Sequence, residues 1–362
     1  MLMRAITNGL IPVNSDSIST ISHCLNCRSC EAICPSQVKY GQIINLFYQN
    51  THYKDFSGHA ISTLMSYAKS PEMFSPIIAM ARVAHKTGLD KMAGRIGATS
   101  QQTAHMETFL PRLQQTHTLK QRSTTKNSIG DVLLFKGCMG QILDNETLHN
   151  AVKLLMLLGY NVSLTSKQSC CGALHRHQGD LDTSEQMLDE IDKIISENRY
   201  TAVVATSSAC IAHLNEHLSK RHQLETPLVD IVEFLANQQW KDLNFNSDKI
   251  VIACHEPCSN RNVLNNRQAL IKLLNQFPCF ETHTLPANSH CCGAGGVQML
   301  ANPEQTAQLR EPRINQIKML KPDFIISQNL SCTLNLISGL KEKGIDIKVI
   351  HPVSLIMNKV LV

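Results

Sequence analysis

The sequence predicts an α/β fold: two duplicated cysteine-rich domains with parallel sheets, preceded by a helical segment. Three observations carry this expectation. Apolar strands alternate with helical patterns between residues 130 and 327, as in parallel sheets whose strands are joined by helical crossovers. Through the same region the cysteines follow one rhythm, repeated once. Ahead of it Cys24, Cys27, Cys30 and Cys34 form a tight cluster, and the next cysteine is Cys138.

In chain order, residues 1–125 read as a mostly helical cluster-binding segment with a linker. Apolar spacing suits helices over 41–70 and 71–97, the latter through Phe74, Ile77, Ile78, Ala81 and Ala84. Arg82, Lys86, Lys91 and Arg95 make the second of these basic as well. Packing on neighbouring helices is the ordinary fate of such a stripe; a membrane-surface helix is the alternative. Residues 99–128, rich in Gln, Thr and Ser, read as linker.

The first cysteine-rich domain, 126–247, has strands at 130–135, 161–165 and 201–206, with helices at 145–159 and 184–198. The second, 248–362, repeats that order with strands at 249–254, 279–285 and 323–327 and helices near 263–276 and 303–320. Cys170-Cys171-Gly172 and Cys291-Cys292-Gly293 lie 121 residues apart. Cys138 precedes the first tripeptide by 32 residues and Cys258 the second by 33; Cys210 follows Cys171 by 39 and Cys332 follows Cys292 by 40. Four matched cysteines within one residue of register mark an internal duplication. Each follows a strand, and parallel sheets gather ligands at the carboxyl ends of their strands. The matched cysteines should therefore converge on one edge of each domain. Of the two left over, Cys279 reads as a buried core thiol. Cys254 ends a strand four residues before Cys258 and is open to a ligand role.

Composition narrows the chemistry. The chain has 362 residues, a net charge of +5 and 14 cysteines. Apolar residues make up 43% and charged ones 17%, which excludes a disordered polyelectrolyte. The charge is too mild to imply nucleic acid. No apolar run reaches the roughly 18 residues of a membrane span, and the opening MLMRAITNGLIPVNSDS lacks a secretory pattern. A cytoplasmic chain is expected, and in a reducing compartment so many thiols point to metal or redox chemistry.

Thiolates favour iron–sulfur clusters or zinc. Vicinal cysteines diverge on an extended chain, so they suit two atoms of a cluster better than one small ion. The glycine that follows lets the backbone bend and approach. A zinc ion, a vicinal disulfide or a redox-active thiol are the alternatives in each repeat. The front cluster is sharper: Cys24, Cys27, Cys30, Cys34 and Pro35 spell C-x2-C-x2-C-x3-C-P, the bacterial ferredoxin run for a [4Fe–4S] cluster. In two-cluster ferredoxins its fourth cysteine serves the other cluster, and no second run is present. Cys34 then completes its own cluster, an outside ligand does, or an earlier segment is missing.

HCLNCRSCEAICPSQVKYG, KGCMG, CCGALHRHQGD, TSSAC, HEPC, SHCCGAGG and NLSC resemble the iron–sulfur subunit of bacterial glycolate oxidase (glycolate dehydrogenase) over nearly the whole chain. The wider family includes the lactate-utilisation iron–sulfur protein, the iron–sulfur subunit of anaerobic glycerol-3-phosphate dehydrogenase and the CCG-bearing subunit of heterodisulfide reductase. The resemblance implies an electron-transfer subunit, not active alone. It would relay electrons from FAD-containing oxidase subunits that oxidise a 2-hydroxy acid towards the membrane quinone pool, by peripheral association with the inner face of the membrane. It implies metal ligation by Cys24, Cys27, Cys30 and Cys34, by Cys138, Cys170, Cys171 and Cys210, and by Cys258, Cys291, Cys292 and Cys332. The first four would hold a [4Fe–4S] cluster; the other two sets would hold further iron–sulfur clusters or zinc. Family members carry an earlier ferredoxin motif that is not found here, which leads to the expectation of a missing front motif. Heterodisulfide reductases carry C-x2-C after each CCG; here Ser207 and Asn329 replace the earlier cysteine, which weighs against a heterodisulfide reductase-like thiol–disulfide enzyme. Cys254 is the one candidate for a fifth thiolate. His175, His177 and His290 flank the CCG tripeptides, and His255 matches the family's H-x-P-C. Gly293-Ala-Gly295-Gly296 lacks the strand–glycine–helix context of a dinucleotide site.

Overall fold

The structure, a computed structural model, describes residues 2–51, 65–66, 117–165, 170–219, 224–240, 243–285 and 291–361. The basic helix expected over 71–97 lies outside the described residues, as do His290, much of the helix expected over 41–70 and most of the expected linker. Four helices come first: Leu2–Thr7, Ser15–Ser22, Ser29–Ile33 and Tyr40–Asn50. Ile18 with Ile21 and Ile44 with Phe47 stand three residues apart, so each pair shares a helix face. With Ile6 they form a small core of their own.

The first sheet contains β1 (Arg122–Ser123), β2 (Gly130–Phe135), β3 (Tyr160–Leu164), β4 (Ala202–Ala205) and β5 (Leu228–Asp230), in the order β1-β3-β2-β4-β5. All its pairings are parallel except that of β1 with β3. After β6 (Asn244–Phe245), the second sheet contains β7 (Ile250–His255), β8 (Phe280–Thr284), β9 (Phe324–Ser327) and β10 (Lys348–Ile350), all parallel, in the order β10-β9-β7-β8. The parallel parts of the two sheets therefore share one strand order. A final strand, β11 (Val360–Leu361), pairs antiparallel with β6.

Three features differ from the sequence expectation. β5 and β10 add a fourth parallel strand to each repeat; at three residues each they are too short to show a period-two pattern. β1 falls within the stretch expected to be linker. The helix expected near 263–276 is split into a π-turn, Asn260–Leu264, and a helix, Ala269–Leu274. Asn265 breaks it with a left-handed φ of 55°, a conformation asparagine tolerates better than most side chains.

The central strands β2, β4, β7 and β9 are buried on both faces because helices cover both. Val132 and Leu134 of β2 enter one core, whereas Leu133 and Phe135 enter another. The first of these cores belongs to both repeats: Val132, Leu148 and Leu155 share it with Ile252, Leu273, Val353 and Ile356. Helix packing is reciprocal. The helix Asn145–Leu157 of the first repeat packs on Pro352–Met357 of the second, and Ile231–Ala236 of the first packs on Ala269–Leu274 of the second. Ser354 meets Thr147 and Asn150 at 3.1 and 3.2 Å. Trp240 packs edge-on against Phe277 at 5.1 Å between ring centroids. Burying each such side chain contributes roughly 1.5–3 kcal/mol.

Matched helix caps follow the fourth strands. Asp230 accepts from the Val232 N–H at 2.8 Å, and His351 Nδ1 accepts from the Val353 N–H at 3.1 Å. Burial pushes the Asp230 carboxyl up to about 6 and the His351 imidazole down to about 3. No helix among the described residues is long and apolar enough to cross a membrane.

Candidate functional site

Strand ends deliver the matched cysteines. Cys138 lies just beyond β2, Cys210 opens the helix Ser208–Leu218 after β4, and Cys170–Cys171 stand before the helix Ala173–His177. In the second repeat Cys258 follows β7, Cys291–Cys292 come after β8 and Cys332 opens the helix Leu330–Glu342 after β9. Both CCG glycines have φ of +84°, and an added Cβ would meet Ser184 Oγ at 2.9 Å in the first repeat and Thr306 O at 2.7 Å in the second. Only glycine allows this bend at this closeness to the next helix.

The cysteine edges of the two domains face each other, and all eight matched cysteines line one cavity of about 200 Å³ between the repeats. Within the first set Cys170 touches Cys138 and Cys171, and Cys171 touches Cys210. Within the second, Cys291 touches Cys258 and Cys292, and Cys292 Sγ lies 2.8 Å from Cys332 Sγ. None of the fourteen cysteines is in a disulfide. Neighbouring thiols come first, and burial adds to them, in pushing Cys170, Cys171, Cys210 and Cys332 well above the usual range. Cys292 moves the opposite way, held down chiefly by its contact with Cys291.

Ser207 and Asn329 occupy the places where the resemblance led to a comparison with a further cysteine. They meet each other across the repeat boundary, Ser207 Oγ donating to Asn329 Oδ1 at 3.1 Å. Asn329 Nδ2 also donates to Cys332 Sγ at 3.5 Å. Cys254 sits in the shared core with Ile250 and Ile252, and burial pushes its thiol up to about 12. Strand alternation explains this placement: Cys254 faces the core, whereas His255 faces Cys292 and Cys332, one ring nitrogen lying within 4.8 Å of their Sγ atoms. Cys279 is buried in the same core.

The front cysteines reach the cavity through one residue. Cys27 lines it and touches Cys291, which holds the Cys27 thiol down to about 5. Burial pushes Cys24 and Cys30 up, with Cys27 close enough to act on both. Cys34 caps the end of the helix Ser29–Ile33 and does not line the cavity. Both repeats hold this loop. Arg28 makes a two-toothed ion pair with Glu216, at 2.8 Å for each contact. Asn262 Nδ2 donates to the Cys27 carbonyl at 2.7 Å.

The wall of the cavity also holds residues that the sequence reading did not single out. His213 and Glu216 line it beside His177. Burial pushes His177 down to about 4 and His213 well below its ordinary value. Their signal was helical spacing: Cys210, His213 and Glu216 recur every three residues and so share a face of one helix. Around the second set, Arg313 is buried within electrostatic reach of Cys291, Cys292 and Cys332. Free sulfur donors, a buried imidazole and flanking guanidinium groups fit a thiolate-bound soft metal or an iron–sulfur cluster.

Residues 132–215 and 252–337 each match the cysteine-rich domain family CCG. The chain is 24% identical to the probable glycolate oxidase iron–sulfur subunit of Bacillus subtilis (strain 168), over 96% of this chain and 84% of that protein. It is 26% identical to the glycolate oxidase iron–sulfur subunit of Escherichia coli (strain K12), over 90% of this chain and 80% of that one. Lactate utilization protein A of Oceanobacillus iheyensis is 26% identical over 61% of this chain and 93% of its own length.

Proposed function

Since this chain carries two domains of the CCG cysteine-rich family and is a homologue of glycolate oxidase iron–sulfur subunits, we propose that it is the electron-relay subunit of a 2-hydroxy-acid dehydrogenase complex. Electrons arrive from an FAD-containing subunit and leave towards a quinone at the membrane surface. The observation that carries this reading is the continuity of thiols: Cys27 of the front motif touches Cys291, and both belong to the cavity that the two CCG sets line. A relay needs its stations close together, and a hydrolase or a binding module has no use for such a row.

Three donor sets follow. Cys24, Cys27, Cys30 and Cys34 would hold a [4Fe–4S] cluster. Cys138, Cys170, Cys171 and Cys210 would hold a second cluster, and Cys258, Cys291, Cys292 and Cys332 a third. Bound iron–sulfur clusters supply one-electron couples that no protein side chain offers here. The chain's own residues hold the sulfurs and set their surroundings. Asn329 donates to Cys332 Sγ, and backbone N–H groups donate to Cys170 Sγ at 3.5 Å and to Cys24 Sγ at 3.4 Å. Such bonds spread negative charge off sulfur and raise a cluster's potential. Arg28 and Arg313 offset thiolate charge from outside. Burial of Cys138, Cys170, Cys171, Cys292 and Cys332 keeps water from those sulfurs, whereas Cys30 of the front motif is exposed.

Anaerobic purification followed by iron, zinc and sulfide analysis tests this reading. Iron and sulfide for two or three clusters, with visible absorbance, is the expected result. Zinc without visible absorbance sinks the relay.

A further inference from the structure

β2 and β7 match residue for residue, which makes Phe135 and His255 counterparts at the ends of their strands. Phe135 completes the apolar core of the first repeat. His255 is only 2% exposed, and among the described residues neither of its ring nitrogens has an oxygen or nitrogen partner; the group that reaches it is the Cys292 thiol. A buried imidazole left this way carries a desolvation cost that some partner must offset. The atoms available to it are sulfurs, since its donor nitrogen and the Sγ atoms of Cys292 and Cys332 lie within 4.8 Å of one another. Neutral imidazole is a suitable ligand for iron and zinc alongside thiolate.

We propose that His255 is a metal ligand of the second repeat alone, which makes that site a mixed imidazole–thiolate centre beside an all-thiolate centre in the first repeat. This rests on the reading that the repeats hold iron–sulfur clusters. It assigns the unequal pair a direction. His255 is an added donor beside the four thiolates of that set; being neutral it brings no further negative charge, so the potential lies above the one a thiolate at the same place would give, as where histidine stands for cysteine in two-iron clusters. Arg313 acts in the same sense. The helices Leu181–Ser196 and Pro303–Leu320 align through Ser184 and Thr306, which stand against the two CCG glycines. Arg310 and Arg313 then take the places of the buried Leu188 and Ile191. With clusters bound in both sets, Arg313 and the neutral His255 would favour the second-repeat centre as the acceptor of a single electron from the first, with no proton required.

The experiment uses the full chain, purified anaerobically from cells fed ¹⁵N-histidine, and pulsed electron paramagnetic resonance on the partly reduced protein. The expected result is a nitrogen coupling that changes isotope with the label and disappears in His255→Cys, while iron content is retained. The same variant should shift the midpoint of one centre to lower potential and leave the other in place. His255→Ala should lose the iron of one centre, and Phe135→Leu should keep the nitrogen signal. Iron at full content with no labelled nitrogen coupling overturns the ligand assignment and leaves the relay intact. A chain without iron or sulfide overturns the relay reading, and the assignment with it.

Discussion

The two repeats share strand order, cysteine spacing, a left-handed CCG glycine and a cap after the fourth strand, yet the surroundings of their thiols differ. Behind the first set lie Phe135, Leu188 and Ile191, all buried hydrocarbon. Behind the second lie His255, Arg310 and Arg313, equally buried and polar. Arg310 is satisfied by Asn335 and Glu342, so its burial is compensated. Positions that fix the backbone stayed alike after duplication, whereas positions that set charge diverged. A common scaffold with unequal electrostatics would give two bound centres different potentials.

The largest test of this comparison removes one sulfur from each side. Cys171→Ser should strip iron from the first repeat and spare the second, and Cys292→Ser should do the reverse, read as iron per chain. Equal losses from both repeats in either variant would mean that the cavity acts as one indivisible site. A smaller effect is expected at the glycines. Gly172→Ala and Gly293→Ala should each lower stability by about 1–3 kcal/mol from the positive φ alone, read as a fall in the denaturation midpoint. Gly293→Ala should cost more, because its Cβ would meet the Thr306 carbonyl rather than a rotatable hydroxyl first.

The smallest effect separates the matched caps by pH. His351 titrates near 3 in the fold against an ordinary 6.5, so its contribution is full above 6.5 and is lost as pH falls below that value. Asp230 titrates near 6 against an ordinary 3.8, so its contribution is full below 3.8 and is lost as pH rises through 6. In the overlap, roughly pH 4–6, the two slopes oppose each other. Relative to the parent chain, His351→Asn should make stability fall more with rising pH, and Asp230→Asn should make it rise more. Urea midpoints across that range check the signs, and parallel slopes in the two variants would break the contrast.

Much of this was legible in the sequence. Three strands of each repeat followed from apolar periodicity, as did the helices Asn145–Leu157, Leu181–Ser196 and Pro303–Leu320. The arrival of cysteines at strand ends followed from spacing alone. What the sequence did not disclose depends on contacts far apart in the chain. That the two cysteine edges face each other is set by reciprocal packing of Asn145–Leu157 on Pro352–Met357 and of Ile231–Ala236 on Ala269–Leu274, which no local pattern encodes. The contact of Cys27 with Cys291 is long-range in the same way. His255 and Cys254 were both noticed as neighbours of Cys258. Alternation along β7 decides between them, and its phase is fixed only when the faces of the sheet are known.

That reciprocal packing also bears on how the chain is made. The apolar face of Asn145–Leu157 finds its cover in Pro352–Met357, synthesised about 200 residues later. At the usual ribosomal pace of 5–20 residues per second, this face waits about 10–40 s for its partner. During that interval the four thiols of the first repeat lack the opposite wall of their cavity. Metal loading of the first repeat would thus be coupled in time to completion of the second, and a chaperone or cluster donor acting on the nascent chain would have that interval in which to reach it.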